Sequence, residues 1–345
     1  MARTARFEGL WQLATATPSR AGTSSTVNPS NGRRRHDADT GRGPHWISPK
    51  LHFGLVGPRR PRPEPCRRRA GAPLGAPPAV RGLPEQLRGV DCRLAGASGA
   101  RHRAIGTVVN QAAITGGHVL QGLAYAQVRS SDVDRRLSWP HYLARAGMIE
   151  TLGKVDRQDL ALSFLAEASP PGILDLGAIC AEIMHQVQAS PELDQKTPLR
   201  TARTKLRWVA LAGDQPGRVQ FTIEERGLRT LRLSLDDRPP AAIAEICADI
   251  ALHDWLLTSL QSLIEASDIG AVPRALVVRR FGPAIDHLLH LWMPAARIDR
   301  SVWDALERRP GMTRQWMASV NRIRDQIAAG TMAMLGQSQA GSGQS

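Results

Sequence analysis

Two apolar rhythms run along the chain from Gly82 onward, and neither is present before it. AIGTVVNQAAIT (104–115) and HVLQGLAYAQV (118–128) are β-like runs, and Gly116-Gly117 between them is a two-residue hairpin signal. From about 139 to 168 the spacing becomes helical. Pro140 suits the first turn of a helix over HYLARAGMIETLG, and DRQDLALSFLAEA predicts a second. Asp175 caps a third across LGAICAEIMHQVQ. Three more β-like runs follow, TKLRWVALAG, RVQFTIEE and LRTLRLSL, with turns at Asp214–Gly217 and Arg226-Gly227. Residues 239–335 then predict three helices, punctuated by Pro239-Pro240, Pro273 and Pro310-Gly311.

This order of elements predicts an α+β fold: an antiparallel β-rich N-terminal half with a helical insert, then an all-α C-terminal third. The predicted divisions are 1–81 without structure, 82–238 α+β, 239–335 helical and packed on it, and 336–345 a disordered tail. In the last helix Trp316, Val320, Ile323, Ile327 and Met334 form one apolar stripe. Arg314, Arg322, Arg324 and Asp325 lie away from it, as a solvated face or as a seat for an acidic partner.

The net charge of +14 resembles a nucleic-acid signature until it is located. Residues 1–80 hold 14 Lys+Arg against 4 Asp+Glu, so 14 − 4 = +10, which leaves +4 for the rest. Gly and Pro make up 20 of those 80 residues, and no apolar period runs through them. Such a segment buries too little apolar surface to offset chain entropy. Three readings fit it: a basic arm holding nucleic acid through phosphates, an inert solvated tail, or a start or frame error in a high-GC gene. Glu8 and Gln12 interrupt the apolar stretch that a secretion signal needs. The four cysteines are scattered without CxxC spacing, which predicts reduced thiols in a cytosolic protein.

Chemistry is sparse. There is no GxxxxGK[ST] loop, no GxGxxG after a strand and no HExxH. GASGA (96–100) sets Ser98 between glycines, but Ala100 stands where a nucleophile elbow requires Gly, and a turn is the expectation. The helix at 241–266 is more informative. With Ile243 at zero, Ile246, Cys247, Ile250, Leu257 and Ile264 fall within about 60° of it, and Asp254 sits in the middle of that face. His253 lies at its edge. Because Leu252, Leu256 and Leu263 cover the other side, the helix belongs in an interior. Asp254 then needs a partner: an Arg or Trp that fixes packing, or a functional role as a carboxylate. In DHLLHLWMP (286–294), a helix centred on Ile285 buries Leu288, Leu289 and Trp292 and turns His287 and His290 away. Two histidines are too few for a zinc site, so neither metal nor cofactor is expected. Catalytic candidates are Asp254, His253, His287 and His290.

The segments GVDC with ASGA and GTV (89–108), ITGGHVLQGLAYA, WPHYLARAG, LRWVAL, LHDWLLTSL, DHLLHLWMP and LERRPGMTRQWMASVNRIRDQIA together mark a resemblance. Over about residues 89–335 the chain resembles a family of actinobacterial proteins with no assigned activity, encoded beside a variant P-loop protein. The resemblance carries over no catalytic residues. It implies a cytosolic component of a multi-gene system with the P-loop protein as partner. The leading expectation is therefore a non-enzymatic interaction protein. An enzyme built on Asp254 and His287, and nucleic-acid binding through the basic arm, stand as alternatives.

Overall fold

The longest apolar run becomes the longest strand. In the computed structural model, which describes residues 11–19, 80–116, 119–166, 172–190, 203–212, 218–224, 227–235, 238–267, 281–282, 288–294 and 298–342, AIGTVVNQAAIT lies within β4 (Arg101–Thr115). Antiparallel to it runs β5 (Val119–Ser130), closed by the pair Thr115↔Val119. Three positions of sequence, 116–118, separate the paired ends, one more than in a two-residue turn, and Gly117 and position 118 lie outside the described residues. Gly116 takes φ 60° there.

The described residues form one nine-stranded mixed sheet. Its other strands are β1 (Trp11–Ser19), β2 (Val80–Gly82), β3 (Gln86–Ala95), β6 (Met148–Thr151), β7 (Lys205–Ala212), β8 (Arg218–Ile223) and β9 (Leu228–Leu235). The hydrogen-bonded order is β2-β4-β6-β5-β1-β7-β9-β8, with β3 also on β4. β4 changes partners along its length. It pairs with β3 over 101–110 and with β2 over 113–115, while its other side meets β6 and then β5. Most pairings are antiparallel; β5–β6 and β7–β9 are parallel.

Two segments take strand form where the composition and periodicity point elsewhere. Trp11–Ser19 lies in the segment whose composition predicts no structure, yet it pairs with β5 on one side and β7 on the other. Pro18, which has no N–H to give, falls beyond the last β1–β7 pair at Ala16. Met148–Thr151 lies within the predicted helix over 141–153. That helix, α1 (Trp139–Leu143), instead ends before Gly147, which takes φ 72°. The following four residues fit against β4 because Gly106 has no side chain: a Cβ there would stand 2.0 Å from the Met148 carbonyl oxygen.

Helices cover both faces. On one side α2 (Arg157–Leu165) and α3 (Leu176–Gln188) bury Leu160, Ile179, Cys180, Ile183 and Met184 against Leu94, Ala104, Val108, Leu120 and Val209. Asp156 and Asp175 cap these helices by accepting from Gln158 N and Ala178 N. On the other side α4 (Pro240–Glu265) and α5 (Arg300–Arg308) bury Ile243, Cys247, Ile250, Val302 and Trp303 against Val109, Leu123, Trp208, Leu231 and Leu233. Each fully buried side chain of this size is worth roughly 1.5–3 kcal/mol. The second half of α4 packs against Phe281, Leu288, Leu291 and α6 (Met312–Ser342). Trp316 and Ile323 of the predicted stripe are buried and Val320 and Ile327 pack on the same cluster. Arg314, Arg322, Arg324 and Asp325 are exposed. The helix runs on to Ser342, through most of the stretch read as a tail.

DHLLHLWMP departs from the predicted α-helix. Leu289–Leu291 is a single 3-10 turn, and Trp292 is extended at ψ 92°. With three residues per turn, Leu288 and Leu291 share a side, and both are buried. Leu291, which α-helical spacing turns away, is therefore core. Pro294 disfavours helical backbone at Met293 and releases Trp292 to stack on Trp316, with centroids 4.3 Å apart and planes at 5°.

Candidate functional site

Asp254 and His253 are neighbours on α4, but their side chains serve different contacts. Alternation along β9 turns Leu231 and Leu233 to the α4 side, and Arg229 with them. Its Nε donates to Asp254 Oδ1 at 3.1 Å and lies 3.1 Å from Oδ2 as an ion pair. A second nitrogen donates to Thr258 Oγ1, one turn further along α4, at 3.2 Å. The arginine and aspartate side chains are only 9% and 5% exposed. Burial pushes the Asp254 carboxyl above its ordinary value, and Arg229 offsets part of that rise. This is the buried carboxylate that the helical spacing predicts, paired with an arginine from the sheet.

His253 is fully buried. Its Nδ1 lies 2.7 Å from the Asp249 carbonyl, and its Nε2 accepts the Met293 N–H at 3.3 Å. Together these bonds fit a neutral ring protonated on Nδ1. The ring meets Trp292 and Trp303 edge-on at 5.1 and 5.8 Å. His253 thus ties α4 to the chain around the 3-10 turn. His290 is exposed on that turn, while His287 lies outside the described residues. Among the described residues, no group of three His, Cys, Asp or Glu is placed to hold a metal ion. No described helix is long and apolar enough to cross a membrane.

A second buried carboxylate escapes sequence reasoning. Glu150 of β6 accepts from Arg145 at 2.6 Å and from Ser131 Oγ at 3.4 Å, and meets His141 Nε2 at 3.0 Å. Its side chain is 7% exposed against 48% for Arg145. The spacing His141-x-x-x-Arg145 places both on one side of a helix. Continued as a helix, the chain would carry Glu150 to the far side; only the strand at 148–151 brings it back. Ser98 is a turn residue, as expected. Its N–H and Oγ both bond the Asp159 carboxylate at 2.8 Å, anchoring the GASGA turn to α2.

The same corner carries an apolar surface. Trp139 lies over Gly89, where a Cβ would stand 3.2 Å from its ring, and Arg136 sits 5.6 Å from the ring centroid. Leu87, two residues before Gly89, shares its face of β3, and Leu143 follows Trp139 by one helical turn. These three side chains are 50%, 37% and 55% exposed. Among the described strands, β3 pairs only with β4. Among the described residues, its outer edge forms one backbone bridge, Arg93 to Ile173.

No family model, curated protein or solved structure matches the chain.

Proposed function

We propose that the protein is a non-enzymatic cytosolic accessory component that docks a protein partner at the β3–α1 corner. The observation that carries this reading is the exposed Leu87–Trp139–Leu143 surface beside the β3 edge, on which no further described strand pairs. Contiguous exposed apolar side chains keep a free-energy cost in water that a partner removes. An edge strand offers unpaired N–H and C=O groups that an extended segment satisfies by adding as a further strand. Together they supply both elements of recognition: an apolar side-chain surface and a main-chain ladder. The partner is the variant P-loop protein that the resemblance implies. Asp254 and His253 fit this reading as packing devices, held by Arg229, the Asp249 carbonyl and the Met293 N–H.

The test is affinity capture of the neighbouring P-loop gene product by the full chain under mild salt. Wild type should retain it, and a Leu87→Asp/Trp139→Ala variant with an unchanged circular dichroism spectrum should lose it. Failure of the wild-type chain to capture that product, or equal capture by the variant, overturns the proposal.

A further inference from the structure

The opposite end of the sheet carries a basic groove that the docking surface does not use. Its volume is about 250 Å³, and Gln158, Leu211, Arg218, Gln220, Arg232 and Ser234 line it. Arg218 opposes Ser234 across the β8–β9 ladder, and Gln220 opposes Arg232. The two arginines are therefore diagonal neighbours on one face. Diagonal neighbours on adjacent strands lie within reach of long side chains, so the two like charges repel and an anion between them offsets that repulsion. Neither arginine pairs with a carboxylate among the described residues. Arg232 donates to the neutral amide oxygen of Gln158. Arg207, on the same face of β7, likewise donates to a neutral oxygen, the Phe164 carbonyl, at 3.2 Å.

We infer that this groove binds the phosphate group of a small phosphorylated molecule. Two guanidiniums set diagonally on adjacent strands offer planar donor forks to separate oxygens of one tetrahedral anion. The Gln220 amide and Ser234 hydroxyl add neutral donors beside them. Leu211 supplies an apolar wall for the body of the ligand. The groove holds one small molecule, which separates it from a surface that tracks a nucleic-acid backbone.

The test uses the full chain with inorganic phosphate and AMP as probes, titrated calorimetrically at constant ionic strength. Saturable binding of either probe is expected, weakened about tenfold or more in R218Q/R232Q as two charge-assisted contacts are lost. Tighter binding of AMP than of phosphate assigns the Leu211 wall to the ligand body. A second variant, Ser234→Asp, sets a carboxylate opposite Arg218; binding should vanish while the thermal midpoint rises. No saturable binding to wild type, or equal binding by R218Q/R232Q and S234D, overturns the inference. Capture of the protein partner should be unaffected by these variants, so the two proposals fail independently.

Discussion

Arg229 of β9 holds both carboxylate oxygens of Asp254 on α4 at 3.1 Å, inside the interface between sheet and helix. Removing one member of such a pair strands the other charge. Asp254→Ala should cost about 3–5 kcal/mol in chemical denaturation. The double replacement Arg229→Met/Asp254→Leu should cost much less, because no buried charge remains. A double-mutant cycle with equal and additive losses would count against the pair as a unit.

The pair also has a pH signature. The folded carboxyl of Asp254 titrates above its unfolded value, chiefly through burial. The ionised form is thus disfavoured in the fold, and the associated stability is full at acid pH and declines as pH rises. The wild-type minus Asp254→Asn difference in unfolding free energy should fall above about pH 3.9. A flat difference would contradict the assignment.

Asp299 behaves in the opposite sense. It caps α5, accepting from Ser301 N at 3.0 Å and Val302 N at 3.4 Å, with Arg238 at 2.9 Å. The hydrogen bond from the Ser301 side chain, then Arg238, holds the carboxyl down at about 2. Its contribution is present at neutral pH and is lost as pH falls from the ordinary aspartate range towards about 2. Asp299→Ala should cost roughly 1 kcal/mol at pH 7 and nothing further in acid. Thermal melts of both proteins from neutral pH down into acid supply the check.

Burial pushes the Cys92 thiol up to about 12, with Asp91 adding to the rise, and burial alone raises Cys247 well above the ordinary thiol range. Since the thiolate is the reactive form, neither should take up iodoacetamide at pH 8 while the protein is folded. Mass spectrometry of labelled peptides, native and denatured, measures this. Native labelling of Cys92 at the denatured rate would refute it.

Gly106 admits β6 only because its α-carbon is bare. A Cβ there would also sit 2.6 Å from the Ile149 α-carbon, and backbone cannot step aside as a flexible side chain does. Gly106→Ala should destabilise by about 1–3 kcal/mol. It should also raise hydrogen exchange at Met148–Thr151 first, because those amides lose their partner.

Legibility in the sequence followed the range of the interaction. Strands β4, β5, β7, β8 and β9 carry their own apolar runs, and the Asp175 cap sits three residues from the N–H it accepts, so local pattern sufficed. The burial of Asp254 was legible because α4 is apolar almost all round. Its partner was not: Arg229 is one of many arginines, and only the parallel β7–β9 register turns it inward. Glu150 stayed hidden because MIET reads equally as helix, and the deciding factor is a glycine 42 positions earlier, at Gly106. The 3-10 turn at Leu289–Leu291 reflects a tertiary demand, the stacking of Trp292 on Trp316, that overrides helical spacing. The bond to His253 Nε2 likewise comes from a residue 40 positions away, Met293.

Strand β1 pairs Trp11 with Val128 on one side and with Leu211 on the other. Both partners are distant, so chain entropy delays this pairing relative to the local hairpins. Until it arrives, the β4–β5–β6 and β7–β8–β9 portions have two open edges facing one gap. Those edges are where a partly folded chain would join a neighbour instead of itself. The strand that joins the two portions therefore also governs how long the nascent protein is prone to aggregate.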